Sequence, residues 1–112
     1  MEAIPKQVEV YETPEGRQPF NEWLDSLKNK RTVSIITKSL EQIKLENLGD
    51  IRSVGKGVYE LKIDYGAGYR IYFGQIGNTI IVLLSAGDKS TQDKDITQAQ
   101  EYWENYRSEW NG

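Results

Sequence analysis

Residues 57–89 read GVYELKIDYGAGYRIYFGQIGNTIIVLLSAGDK, and this stretch predicts three consecutive strands. From Val58 to Asp64, Tyr59, Leu61 and Ile63 alternate with Glu60, Lys62 and Asp64. From Tyr69 to Phe73, Tyr69, Ile71 and Phe73 alternate with Arg70 and Tyr72. A period of two is the mark of strands with one face on a core and the other in water. Gly66 and Gly68 in the intervening turn can take positive φ without steric cost. Directly paired residues share a face, so Arg70 sits opposite either Lys62 or Asp64, according to turn length. Either register places Lys62, Arg70 and Tyr72 on one face, expected to be exposed. The run Thr79–Ala86 is apolar without alternation and predicts a strand covered on both sides.

Outward from this stretch, Gln7–Glu12 predicts a short strand with Val8 and Val10 on one face. It stops at Thr13-Pro14-Glu15-Gly16. Phe20, Trp23, Leu24 and Leu27 recur with helical spacing and predict a helix over Arg17–Leu27, with Pro19 confined to its first turn. A second helix is expected from Lys30 or Arg31 to Asn47, with Val33, Ile36, Leu40 and Ile43 as its buried stripe and Gly49 as a stop signal. Asp50–Lys56 reads as a connector. A last helix opens at Ser90 or Thr91, with Asp93 and Asp95 near the positive end of its dipole. Its stripe is Ile96, Ala99, Trp103, Tyr106 and Trp110. The expected order is β-α-α-β-β-β-α over a single domain, 1–112. This is an α+β fold with a small, mainly antiparallel sheet on which two N-terminal helices and a C-terminal helix pack.

The 112 residues include neither Cys nor His, which excludes disulfides and thiolate metal sites and removes the usual general base. No signal peptide and no apolar run of membrane-spanning length is visible, so a soluble, cytoplasmic protein without membrane contact is expected. The formal charge of −3 argues against a generally basic nucleic-acid surface and requires a local patch for any such role. Gly66-Ala67-Gly68 lacks the strand-to-helix setting of a dinucleotide site, and Gly87-Asp88-Lys89-Ser90 lacks the upstream glycine of a phosphate loop. What remains is cationic and phenolic: Lys62, Arg70 and Lys89, with Tyr72 and Tyr69 or Tyr65. Such groups suit a phosphodiester, through fork and point-charge contacts to phosphate and stacking under unpaired bases. They equally suit a solvated strand face on which Lys62 and Arg70 pair with Glu60 and Asp64.

The segments GVYELKIDYGAGYRIYF (57–73) and IIVLLSAGDKSTQDKDITQAQEYW (80–103), with PEGRQPFNEWLDSL (14–27), resemble the RelE/ParE toxin superfamily. Within it they are most similar to the HigB-like, phage "addiction module killer" branch. The resemblance implies a RelE-like toxin of a type II toxin–antitoxin system that cleaves mRNA on the ribosome without metal or other cofactor. A ribose 2′-hydroxyl would attack the adjacent phosphate. Partners implied are a cognate antitoxin, often of helix-turn-helix type, the ribosome and mRNA, and operator DNA only through the antitoxin. Arg70 matches the strand arginine that contacts the scissile phosphate, Lys62 the basic position of the preceding strand, and Lys89 a position at the end of the last strand. With Tyr72 these are the candidate catalytic residues. Lys56, Tyr69, Lys62 and Arg70 are the candidate RNA-binding residues. A lysine or tyrosine acting as base near neutrality needs its pKa lowered by about three units, roughly 4 kcal/mol, so the base stays open between Lys62 and Tyr72. The alternatives are a ParE-like gyrase poison without enzymatic activity and a degenerate member that only binds an antitoxin.

Overall fold

The computed structural model describes residues 6–44 and 50–111, the last two by backbone alone. Its elements are β1 (Gln7–Val10), α1 (Pro19–Ser26), α2 (Lys30–Lys44), β2 (Ile51–Ser53), β3 (Tyr59–Ile63), β4 (Tyr69–Ile76), β5 (Ile80–Gly87), a 3-10 turn (Lys89–Thr91) and α3 (Gln92–Asn111). The architecture is α+β. One sheet has the strand order β1-β5-β4-β3-β2, antiparallel throughout except where β1 runs parallel to β5.

Of the expected helix starts, α2 begins at Lys30 as read, α1 begins at Pro19 rather than Arg17, and α3 begins at Gln92, after the 3-10 turn, rather than at Ser90 or Thr91. Pro19 stands in the first turn of α1, where its missing N–H costs nothing. Asn29 caps α2, its Oδ1 accepting from the backbone N–H of Arg31 (2.9 Å) and Thr32 (3.1 Å). Of the expected α2 stripe, Ile36 and Ile43 are buried, Leu40 packs against them, and Thr32 is buried as well. The expected end of this helix, Asn47 and Gly49, lies outside the described residues. So does the side chain of Trp110.

The sheet separates two cores. Phe20, Ile36 and Ile43 from α1 and α2 meet Leu61, Ile63, Ile71, Phe73, Ile81 and Leu83 on one face. On the other, Ala99 and Trp103 of α3 meet Val58, Tyr72, Val82 and Leu84, with Tyr11 joining them. Trp103 fits because Gly74 has no side chain: a Cβ there would come within 2.4 Å of the indole ring.

Two features correct the sequence reading. Asp50–Lys56 is not a connector alone, because Ile51–Ser53 forms β2, paired antiparallel with β3 through Ile51↔Leu61 and Arg52↔Glu60. Three residues are too few to display a period, so the strand is set by its neighbour. The order is therefore β-α-α-β-β-β-β-α. The second feature is a bulge in β5: Phe73 pairs with Leu83 but Tyr72 with Ser85. The extra residue rephases the strand, so Ala86 joins the α1/α2 core while Gly87 comes opposite Arg70. TIIVLLSA shows no alternation because both faces of β5 are covered, with Ile81 and Leu83 in the α1/α2 core and Val82 and Leu84 in the α3 core. Among the described residues, no helix is long and apolar enough to cross a membrane.

Candidate functional site

The β3–β4 hairpin closes through five turn residues, with Gly66 and Gly68 at positive φ, and sets Lys62 opposite Arg70. On this face Glu60 precedes Lys62, and Arg70 precedes Tyr72. Arg52 reaches in from β2, and Gln92 comes from the first turn of α3. Together with Asp50, five of these residues (Arg52, Glu60, Lys62, Arg70 and Gln92) line a pocket of about 340 Å³. The pocket lies where α3 begins, at the turn end of the hairpin.

Lys62, Arg70 and Tyr72 do share a face, but that face is not open. Arg70 is 6% exposed and Tyr72 fully buried, because α3 lies across the sheet. Lys62 is exposed. The Arg70 Nη1 donates to the Gly68 carbonyl at 2.6 Å. Among the described residues its Nε has no hydrogen-bond partner, and it stands 3.9 Å from Glu60 Oε2. Lys89 is exposed beside the same turn: its Cβ and the Arg70 Nη1 both lie within 3.5 Å of where a Gly68 side chain would begin. Its backbone N–H donates to Ala67. Arg70, Lys62 and Lys89 are thus brought together at one corner.

The other expected residues lie elsewhere. Tyr69 points to the opposite face, where its ring meets Trp23 edge-on at 6.0 Å and packs against the α1/α2 core. Alternation requires this, since Tyr69 and Arg70 are adjacent on one strand. Lys56 occupies the β2–β3 turn at the far end of β3, on the order of 20 Å from Lys62. It is held at φ 55 between two glycines also at positive φ. It lines a separate cleft with Gln100, Trp103 and Arg107.

Sequence reasoning missed the residue at the centre of the pocket. Glu60 is 2% exposed and joins three elements. Its Oε1 accepts from Arg52 Nε at 2.9 Å and its Oε2 from Gln92 Nε2 at 3.0 Å. Burial would raise its pKa, but these hydrogen bonds and the Arg52 charge outweigh burial and hold it below the usual carboxylate range. Tyr72 moves the other way. Burial and the neighbouring Glu60 charge push its phenol far above its ordinary value. The hydroxyl faces Glu60 without a well-formed hydrogen bond. Burial also raises Asp95, against the lowering effect of the Thr91 hydroxyl. The Asp95 carboxylate packs on Gly87, opposite Arg70 in the sheet, and a Cβ there would overlap it. The available signal for Glu60 was its parity with Lys62; Arg52 was hidden because β2 was not recognised.

Chemically, the corner offers a guanidinium with a buried N–H unused among the described residues, two exposed lysines and an ionised carboxylate. That set can hold an anion and exchange a proton beside it. Among the described residues there is no group of carboxylates able to hold a metal ion.

No family model matches the chain, and no solved structure does. An uncharacterized protein of Haemophilus influenzae is 47% identical over 81 residues, which cover 72% of this chain and 82% of the relative. The chain therefore belongs to the family that this Haemophilus influenzae protein represents.

Proposed function

We propose that the protein is a RelE-like toxin of a type II toxin–antitoxin system, acting as a metal-independent, ribosome-dependent mRNA endoribonuclease. The observation that carries this reading is the buried Arg70 guanidinium, with its Nε unpartnered, at a pocket shared with Lys62 and Arg52 and beside Lys89. Such a fork needs no shift of its own charge to stabilise the extra negative charge of a five-coordinate phosphate. Lys62, opposite Arg70 and exposed, would face the scissile phosphate, and Lys89, also exposed, would bind a flanking one. The Tyr72 hydroxyl is fully buried under α3 as a neutral phenol beside Glu60, out of reach of a nucleotide, so its contribution is to the core. Tyr69 points to the opposite face of the sheet, into the α1/α2 core, and Lys56 lies at the far end of β3, so neither contacts the same nucleotide. The acidic background is compatible with the activity if the ribosome delivers the message. A cognate antitoxin, of helix-turn-helix type, would cover the pocket and carry any operator-DNA binding.

The test is translation of a defined message by purified ribosomes with the purified chain, read by primer extension. Cleavage in the A-site codon, insensitive to chelator and lost in Arg70→Ala, is the expected result. An intact message alongside growth arrest on induction overturns it.

The burial of Arg70 favours a second reading, the ParE-like gyrase poison. There the guanidinium would only clamp the hairpin turn through Gly68, and toxicity would survive its removal. Supercoiling by gyrase in the presence of the chain separates the two.

A further inference from the structure

We propose that Glu60 is the general base of the cleavage, taking the proton of the ribose 2′-hydroxyl; this deepens the ribonuclease reading and rests on it. The step balances within the pocket. The 2′ oxygen bonds to phosphorus as its proton passes to the Glu60 carboxylate. The bond from phosphorus to the 5′ oxygen breaks, and that oxygen takes a proton from the Lys62 ammonium. The products are a 2′,3′-cyclic phosphate and a 5′-hydroxyl.

Three observations carry the assignment. First, Glu60 lines the same pocket as Arg70 and Lys62, with its carboxylate 3.9 Å from the Arg70 Nε. A base must lie within reach of the group that binds the phosphate. Second, the competing groups fall away. The chain has no His, and Tyr72 is buried as a neutral phenol. Of the other carboxylates nearby, Asp50 is exposed at the rim and Asp95 packs against Gly87. Third, Glu60 is held ionised at neutral pH, at some expense of basicity, and each oxygen accepts one hydrogen bond among the described residues, leaving an acceptor position on each. Access depends on Arg52, which covers Oε1 but is itself 62% exposed along its side chain and so free to swing away. The charged and titratable groups facing Glu60 are Arg52 from β2, Lys62 from β3, Arg70 and Tyr72 from β4, and Asp50 at the rim. Gln92, from α3, faces it as a neutral donor. Cations dominate this set, so the carboxylate stays ionised across neutral pH.

The experiment measures single-turnover cleavage of a ribosome-bound message by the full chain between about pH 6 and pH 8.5. With an ionised base already present, the wild-type rate is flat over this range. Glu60→Gln slows cleavage about 10²- to 10⁴-fold at neutral pH. Its residual rate climbs about tenfold per pH unit, because hydroxide must now remove the proton. A group that merely positions Arg70 behaves differently: Glu60→Gln would be slow but flat. That result, or an unchanged rate, overturns the assignment. Should Glu60→Gln fail to fold, Glu60→Asp serves. It keeps a flat profile at reduced rate if the carboxylate is the base, and an undiminished rate sinks the idea. Wild-type chain that cuts nothing on active ribosomes condemns the ribonuclease reading itself, which is a separate result from a wild type that cuts and a Glu60 variant that does so equally well.

Discussion

Gly74→Ala is the sharpest test of how α3 is seated. A methyl at this position would meet Trp103 at 2.4 Å from two ring carbons and 2.6 Å from a third. Ordinary contact begins near 3.4 Å, so the indole must retreat by about 1 Å. Retreat means leaving its stack on Tyr106 and moving toward the cleft it lines with Lys56, Gln100 and Arg107. The ring is 5% exposed and stacks on Tyr106 at 5.4 Å, and its Nε1 already lies 2.7 Å from where a Gly57 side chain would begin. Overpacking against a rigid ring costs about 3 kcal/mol, at the upper end of the usual range. For a chain of this length that lowers Tm by roughly 10–13 °C. Urea unfolding followed by circular dichroism measures it, and a double-mutant cycle identifies its cause. Trp103→Ala alone should cost about 3–5 kcal/mol. In that background Gly74→Ala should be neutral, or stabilising by about 0.5 kcal/mol, since alanine suits a strand better than glycine. The two changes should therefore fall about 3 kcal/mol short of additivity. Additive costs, or a Gly74→Ala protein as stable as wild type, would show that α3 does not sit on the sheet in this way.

Other consequences are equally open to measurement. Arg70→Ala should lower ribosome-dependent cleavage by about 10²- to 10³-fold and abolish growth arrest, as expected for one lost donor to a charged transition state; undiminished toxicity favours the gyrase reading. Glu60 is depressed in the folded state, so its stabilising contribution is present above the unfolded carboxylate pKa and lost as pH falls through the lower folded value. Acid titrations of stability should therefore show a steeper fall below about pH 4.5 in wild type than in Glu60→Gln. Asp95 is raised, which gives the opposite sign: its contribution is full in acid and is lost as pH rises through the folded value. Asp95→Asn should accordingly gain stability at pH 7 relative to its effect near pH 3, a difference that thermal melts at the two pH values would reveal. Tyr72→Phe removes a buried hydroxyl that has no well-formed hydrogen bond among the described residues, so stability should hold or rise by up to about 1 kcal/mol and cleavage should stay within about threefold of wild type.

What the sequence made legible follows from how local each signal is. Alternation at Tyr59–Ile63 and Tyr69–Phe73 fixed which residues share a face, and pairing of Lys62 with Arg70 is one of the two registers that parity allowed. The covering of that face was not legible. Whether α3 lies over the α1/α2 side or the opposite side depends on chain path, and only the latter choice buries Tyr72 and Arg70. The helix stripe Ile96, Ala99, Trp103 and Tyr106 announced that something must be covered, without naming what. The β2 strand escaped because its evidence is the partner, Leu61 and Glu60, rather than its own three residues. Glu60 escaped with it. A glutamate between Tyr59 and Leu61 looks like any solvent-facing strand residue until Arg52 and Gln92 close over it from segments remote in the chain.

The placement of β1 has a consequence for synthesis. The register partner of Gln7 is Ile80, so β1 is synthesised well ahead of β5 and must wait for it before it can dock. Closing so long a loop costs roughly 4 kcal/mol in chain entropy, whereas the β3–β4–β5 meander closes through short turns. The meander should therefore assemble first and the amino-terminal segment lock on afterwards. A nascent chain arrested before residue 80 would lack β5, the strand that joins β1 to β4 and supplies Ile81 and Leu83 to the α1/α2 core, and would leave β1 unpaired and exposed to proteases until elongation resumed.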